Sequence, residues 1–93
     1  MSPQVYSRDV ALSGTIIAID IDRRGKAVEI ALETEDFQQY VIESNGKGNE
    51  LFDFIFDDVT ITGTVMGKTA EGVALIRVKT YEIRNENVKN TPV

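Results

Sequence analysis

The side chains that carry most catalytic chemistry are missing from this chain. It has no cysteine and no histidine. A disulfide framework, a zinc knuckle, a thiol nucleophile and a histidine general base are therefore excluded. Ser2, Ser7, Ser13 and Ser44 have no histidine partner and no nucleophile-elbow motif around them. Acidic pairs occur at Asp20 with Asp22 and at Asp57 with Asp58. A calcium site takes about 6–8 oxygen ligands, and no loop here supplies them in sequence. Asn45-Gly-Lys47-Gly-Asn49 precedes an expected helix start, where backbone N–H groups could meet an anion. It lacks the spacing and the Lys-Ser/Thr ending of a phosphate-binding loop, and it reads as a connector. No catalytic residue, metal or cofactor is expected, and the chain reads as a non-enzyme.

Binding chemistry remains. Asp22-Arg23-Arg24-Gly25-Lys26 is a charged turn, and Lys68 opens a second turn that runs to Gly72. Cations on turn tips suit phosphate or an acidic protein surface, or serve only to keep the turns soluble. The aromatics that could meet a ligand are Tyr40, only in a register of the third strand that leaves it on the outer face, and more weakly Phe37 at the turn. The net charge is −5, with a pI near 4.6, so nucleic acid would need a local basic patch to overcome the average field.

Ninety-three residues, 42% of them hydrophobic, make one domain with a modest core. The longest aliphatic run, Ile16-Ile17-Ala18-Ile19, is far short of a membrane span. The opening residues lack a basic segment followed by an apolar run, so no secretory signal is expected and a cytoplasmic location follows by default. Residues 1–9 and 85–93 are expected to form a loose arm and tail around a barrel domain at 10–84.

Three single segments and a last hairpin are strongly β-like. The first runs from Val10 to Asp22. The second, Ala27 to Thr34, alternates, with Val28, Ile30 and Leu32 expected in the core and Glu29, Ala31 and Glu33 outside. The third, Gln38 to Ser44, has two registers. A two-residue turn at Glu35-Asp36 puts Tyr40 beside Ala31 on the outer face. A three-residue turn puts Tyr40 and Ile42 in the core opposite Leu32 and Ile30, and it is preferred because it buries more apolar surface. Glu50 to Phe56 reads as a short helix capped by Asn49, although Phe52, Phe54 and Phe56 also alternate like a strand. Either way it plugs a core. The last hairpin joins Val59–Gly67 to Val73–Ile83. Val59, Ile61, Val65, Ile76 and Val78 point inward, while Thr60, Thr62, Thr64, Arg77 and Lys79 point outward.

This order, with the near-copies Leu12-Ser-Gly-Thr-Ile16 and Ile61-Thr-Gly-Thr-Val65, resembles the OB-fold, an all-β, five-stranded Greek-key barrel with one short helix between strands three and four. Glu50-Leu-Phe-Asp-Phe-Ile-Phe56 and Ile76-Arg-Val-Lys-Thr-Tyr-Glu-Ile83 resemble the helix and last strand of small bacterial OB domains. The resemblance covers residues 10–84. It implies that strand one pairs with strand four, with Gly14 and Gly63 close together at bends. It places the ligand face on strands two and three, between the loops joining strands one and two and strands four and five. Arg23, Arg24, Lys26 and Lys68 would then share one rim. Glu29, Glu33 and Glu43 would make the face acidic, which disfavours nucleic acid. The expected function is a non-catalytic interaction or adaptor module that docks a protein or small polyanionic partner at the barrel mouth. Arg23, Arg24, Lys26, Lys68, Phe37 and Tyr40 are its candidate contacts, and single-stranded nucleic acid binding is the alternative.

Overall fold

The computed structural model describes residues 8–84. Five strands close into a barrel: β1 (Arg8–Ile21), β2 (Ala27–Thr34), β3 (Gln39–Ile42), β4 (Asp58–Lys68) and β5 (Ala74–Ile83). Around the barrel the order is β1-β2-β3-β5-β4, and β4 pairs back onto β1. Every pairing is antiparallel except β3 with β5. A short helix, α1 (Gly46–Glu50), runs on as a 3-10 turn at Leu51–Phe54 between β3 and β4. The arrangement is consistent with OB-like topology. β1 begins at Arg8, so Arg8 and Asp9, expected in the arm, belong to the barrel. The rest of the expected arm and all of the tail lie outside the described residues.

Closure depends on β1. Its first half pairs with β4, from Arg8↔Val65 to Thr15↔Asp58, and its second half with β2, from Gly14↔Thr34 to Ile21↔Ala27. Strand one therefore pairs with strand four, as expected, but the two glycines do not meet. Gly14 lies opposite Val59, and Gly63 opposite Val10. The two near-copied motifs run antiparallel and align at their first residues, Leu12 against Ile61, so the glycines diverge. Each glycine lets a different neighbour approach. A Cβ at Gly14 would strike the Glu33 carbonyl oxygen, and one at Gly63 the Arg77 carbonyl oxygen.

Ile16, Ile30, Leu32, Ile42, Ile61 and Ile76 are fully or almost fully buried in one cluster. Leu51 closes it from the helical segment, and Phe52, Phe54 and Ile55 pack alongside. β2 keeps the expected inward face at Ile30 and Leu32 but not at Val28, which is 48% exposed. The cause is a pair of bulges. Between Ala18↔Ile30 and Asp20↔Glu29, β1 carries Ile19 as an extra residue; between Asp20↔Glu29 and Ile21↔Ala27, β2 carries Val28. A bulge re-aims its side chain, and here Ala27 takes the place against the core. Ala31, expected outside, is also buried, flanked in register by Ile17 and Val41.

The third strand takes the three-residue-turn register. Leu32 faces Tyr40 and Ala31 faces Val41, and Thr34 and Gln38 bracket the turn through the Thr34 N–H to the Gln38 carbonyl, 2.9 Å. Tyr40 packs against the core and Ile42 is 2% exposed. The helix starts earlier than expected. Asn45, not Asn49, holds the cap position, without a side-chain hydrogen bond, and the glycine-rich connector forms the helix itself. Packing overrides its poor helix propensity: Gly48 is buried, against Ile42. The aromatic plug also loses one member, because Phe56 is 77% exposed.

Candidate functional site: an aromatic and basic groove

Four strands bring one row of residues together. Leu32 on β2 lies opposite Tyr40 on β3, Tyr40 opposite Ala74 on β5, and Ala74 opposite Lys68 on β4. Along this row runs a groove of about 450 Å³, lined chiefly by Arg8, Phe37, Gln39, Tyr40, Lys68 and Val73. Three of the six candidate residues from the sequence, Phe37, Tyr40 and Lys68, therefore share one site.

Local structure fixes each of them. Phe37 ends the three-residue turn with φ 66, its N–H donating to the Thr34 carbonyl at 2.9 Å. The Thr34 hydroxyl accepts from the Gln38 N–H at 3.2 Å. Phe37 leaves 78% of its surface exposed. Lys68 precedes a turn in which the Thr69 hydroxyl accepts from the N–H groups of Glu71 and Val73, each at 3.2 Å. Arg8 opens β1 opposite Val65. Sequence reasoning missed Arg8. Its signal was the alternation Arg8, Val10, Leu12, which carries β1 two residues further back than the apolar run suggests.

The electrostatics leave two cations available. Neither Arg8 nor Lys68 forms an ion pair with a described residue. Asp9, the acid nearest to Arg8 in sequence, is engaged elsewhere. It accepts from the Thr64 hydroxyl at 2.9 Å and from Lys79 Nζ at 3.1 Å. Those hydrogen bonds, and then the Lys79 charge, hold its carboxyl below the usual carboxylate range. On the far side of Phe37 the sign reverses. A second groove of about 350 Å³ is lined by Phe37 with Glu33, Glu35 and Asp58, and also by Arg84. Phe37 stands between the two.

Arg23, Arg24 and Lys26 lie elsewhere. They occupy the β1–β2 turn beyond Ile21↔Ala27. Lys68 is level with Leu32, which is five residues along β2 from Ala27, roughly 16 Å at strand rise. The expected single rim of four cations is thus divided. Because β3 runs parallel to β5, the β4–β5 turn and the β2–β3 turn share one end, and the β1–β2 turn points to the other. The expected acidic face is also weaker than its residue types imply. Glu29 is exposed, but Glu43 accepts both from Arg77 Nε at 2.7 Å and from Nη2 at 3.3 Å.

Among the described residues no group of three or more acidic side chains is placed to hold a metal ion, and no helix is long and apolar enough to cross a membrane. Comparison with models of protein families, with curated proteins and with solved structures finds no match to this chain. The molecule is thus defined by its own geometry: a closed five-stranded barrel with a short helix between β3 and β4, and an aromatic, basic groove at one end.

Proposed function

We propose that the protein is a non-catalytic interaction module of the OB type. Its groove docks a polyanionic ligand, first of all the acidic surface of a protein. The observation that carries this reading is the pairing of two cations without an ion pair among the described residues, Arg8 and Lys68, with two aromatics, Phe37 and Tyr40, around one groove. Surface cations of this kind contribute about 0–1 kcal/mol to folding. Against an anionic partner they act together on association rate and on selection against basic competitors.

The test uses a labelled polyglutamate peptide and the double reversal Arg8→Glu, Lys68→Glu. Wild-type binding weakens as salt rises. The reversed protein melts within a few degrees of wild type and loses at least about tenfold in affinity, a change of about 1.4 kcal/mol. Equal affinity in the two proteins refutes the reading.

A second reading, single-stranded nucleic acid binding, draws on one observation: the exposed Phe37 ring beside Tyr40 offers a stacking platform, worth about 1–3 kcal/mol per base. Glu33, Glu35 and Asp58 on the other side of Phe37 oppose a continuing phosphate backbone. Weak binding of oligothymidine without sequence preference is therefore expected in fluorescence anisotropy. Micromolar binding at physiological salt would place this reading first.

A further inference from the structure

The β1–β2 hairpin runs on past the closed part of the barrel. Pairing of β1 with β4 stops at Thr15↔Asp58, and pairing of β2 with β3 starts only at Ala31↔Val41. Next along β1, only Ile16 gains a further partner: it accepts from the Phe56 N–H at 2.7 Å and donates to the Asp57 carbonyl at 3.1 Å. From Ile17 to Ile21 and from Ala27 to Ile30, the two strands pair with each other and with no other described strand. Both outer edges of this arm are open. An open edge presents backbone N–H and C=O groups to another strand, here in the short stretches on either side of the bulges at Ile19 and Val28.

Three further features coincide on the arm. The exposed large aliphatic residues of the described chain are Ile19, Ile21 and Val28, at 37%, 55% and 48%, and all three lie here. Ile19 and Val28 are the two bulged residues, so the bulges turn apolar side chains outward where natural edges more often carry charge. At the tip, Arg23, Arg24 and Lys26 form no ion pair with a described residue. The one acid of the turn, Asp22, is occupied, accepting from the N–H groups of Arg24 at 2.8 Å and Lys26 at 2.9 Å. The turn at 22–26, with three cations against Asp22, is a basic spot on a chain of net charge −5, while Asp20 and Glu29, paired just below it, keep the rest of the arm acidic.

We propose that this arm is a strand-addition site for an extended, acidic segment of a partner protein. Backbone bonds to the open edge supply affinity. Alternate apolar side chains of the segment cover Ile19, Ile21 or Val28, and its carboxylates meet the basic tip. None of these residues lines the groove described above, so the two surfaces stand or fall separately.

The test is a titration of isotope-labelled full-length protein, followed by amide chemical shift and amide exchange. The titrant is a synthetic peptide alternating glutamate with valine. Expected are saturable shifts and slowed exchange at residues 17–21 or 27–30, and they persist in the Arg8→Glu, Lys68→Glu background that disables the groove. Reversal at the tip (Arg23→Glu, Arg24→Glu, Lys26→Glu) weakens binding at least about tenfold and leaves the melting temperature near wild type. A peptide alternating lysine with valine binds far more weakly than the glutamate one. The proposal is overturned by equal binding of both peptides, by shifts confined to the groove, or by no saturable binding into the millimolar range. It is also overturned if the protein alone forms a concentration-dependent dimer through the arm, which would assign the open edge to a second copy.

Discussion

Phe37 and Phe56 combine two costs that large apolar residues seldom bear together. Their φ values are 66 and 75, and they leave 78% and 77% of their surfaces in water. A left-handed backbone costs an ordinary residue about 1–2 kcal/mol, and asparagine bears it best among residues with a Cβ. Phe37→Asn should therefore keep or raise stability, by up to about 1 kcal/mol, while weakening ligand binding at the groove. Phe56→Asn should do the first without the second. Urea unfolding and peptide titration of the two variants check this, and a loss of stability in Phe37→Asn would show that the ring supports the fold. The two faces of β2 give a sharper comparison. Leu32 is fully buried, so Leu32→Ala should cost about 2–5 kcal/mol. Val28→Ala, on the bulge, should stay within about 0.5 kcal/mol of wild type. Equal losses at the two positions would reverse that assignment. Period-two alternation made Ile30 and Leu32 readable from the sequence. It failed at Val28 because a bulge inserts a residue and leaves no local mark in the sequence Ala27-Val28-Glu29.

The short strand β3 is held at its end by one residue. Just past Ile42, the Glu43 N–H donates to the Ile76 carbonyl at 2.9 Å, and the carboxylate takes two hydrogen bonds from Arg77. Those bonds, aided by the guanidinium charge, outweigh partial burial and hold the Glu43 carboxyl below its ordinary range. A lowered folded pKa stabilises the fold above the unfolded value, and that contribution is lost as pH falls through the folded value. About half of the Arg77 side chain remains in solvent, so the contribution is small, about 0–1 kcal/mol. Glu43→Gln should thus be slightly less stable at neutral pH, and the gap should close as pH drops through the acid range. Thermal melts across pH check this; a gap independent of pH would mean that Glu43 acts through packing alone. Elements with local signals were legible. The glycine turn at Gly25 and the alternation of Val59, Ile61 and Val65 state both hairpins outright. The helix start was not legible, since Gly46-Lys-Gly-Asn is helical only because tertiary packing holds it there.

At the scale of the molecule, the site was far less readable than the barrel. Tyr40, Lys68 and Arg8 gather because β3 lies parallel to β5 and β1 reaches back to Val65, and neither pairing has a turn that announces it. The same long-range pairings govern how the protein folds. Each antiparallel hairpin forms from neighbouring segments, but closing the barrel requires β1 to find β4 and β3 to find β5 across long intervening loops. Loop-closure entropy must be met before those contacts return any stabilisation, which places refolding in the millisecond-to-second range. Leu12 against Ile61 sits in the middle of the β1–β4 seam, and Ile61 is fully buried. Ile61→Val should cost about 0.5–1.5 kcal/mol. If seam formation limits the rate, most of that loss should appear as slower folding, about two- to fivefold, rather than as faster unfolding. Val28→Ala, on the locally formed arm, should change neither rate. Stopped-flow refolding followed by tyrosine fluorescence separates the two arms of the chevron. An Ile61→Val variant that only unfolds faster would place barrel closure after the transition state, with the two hairpins docking before β1 has zipped onto β4.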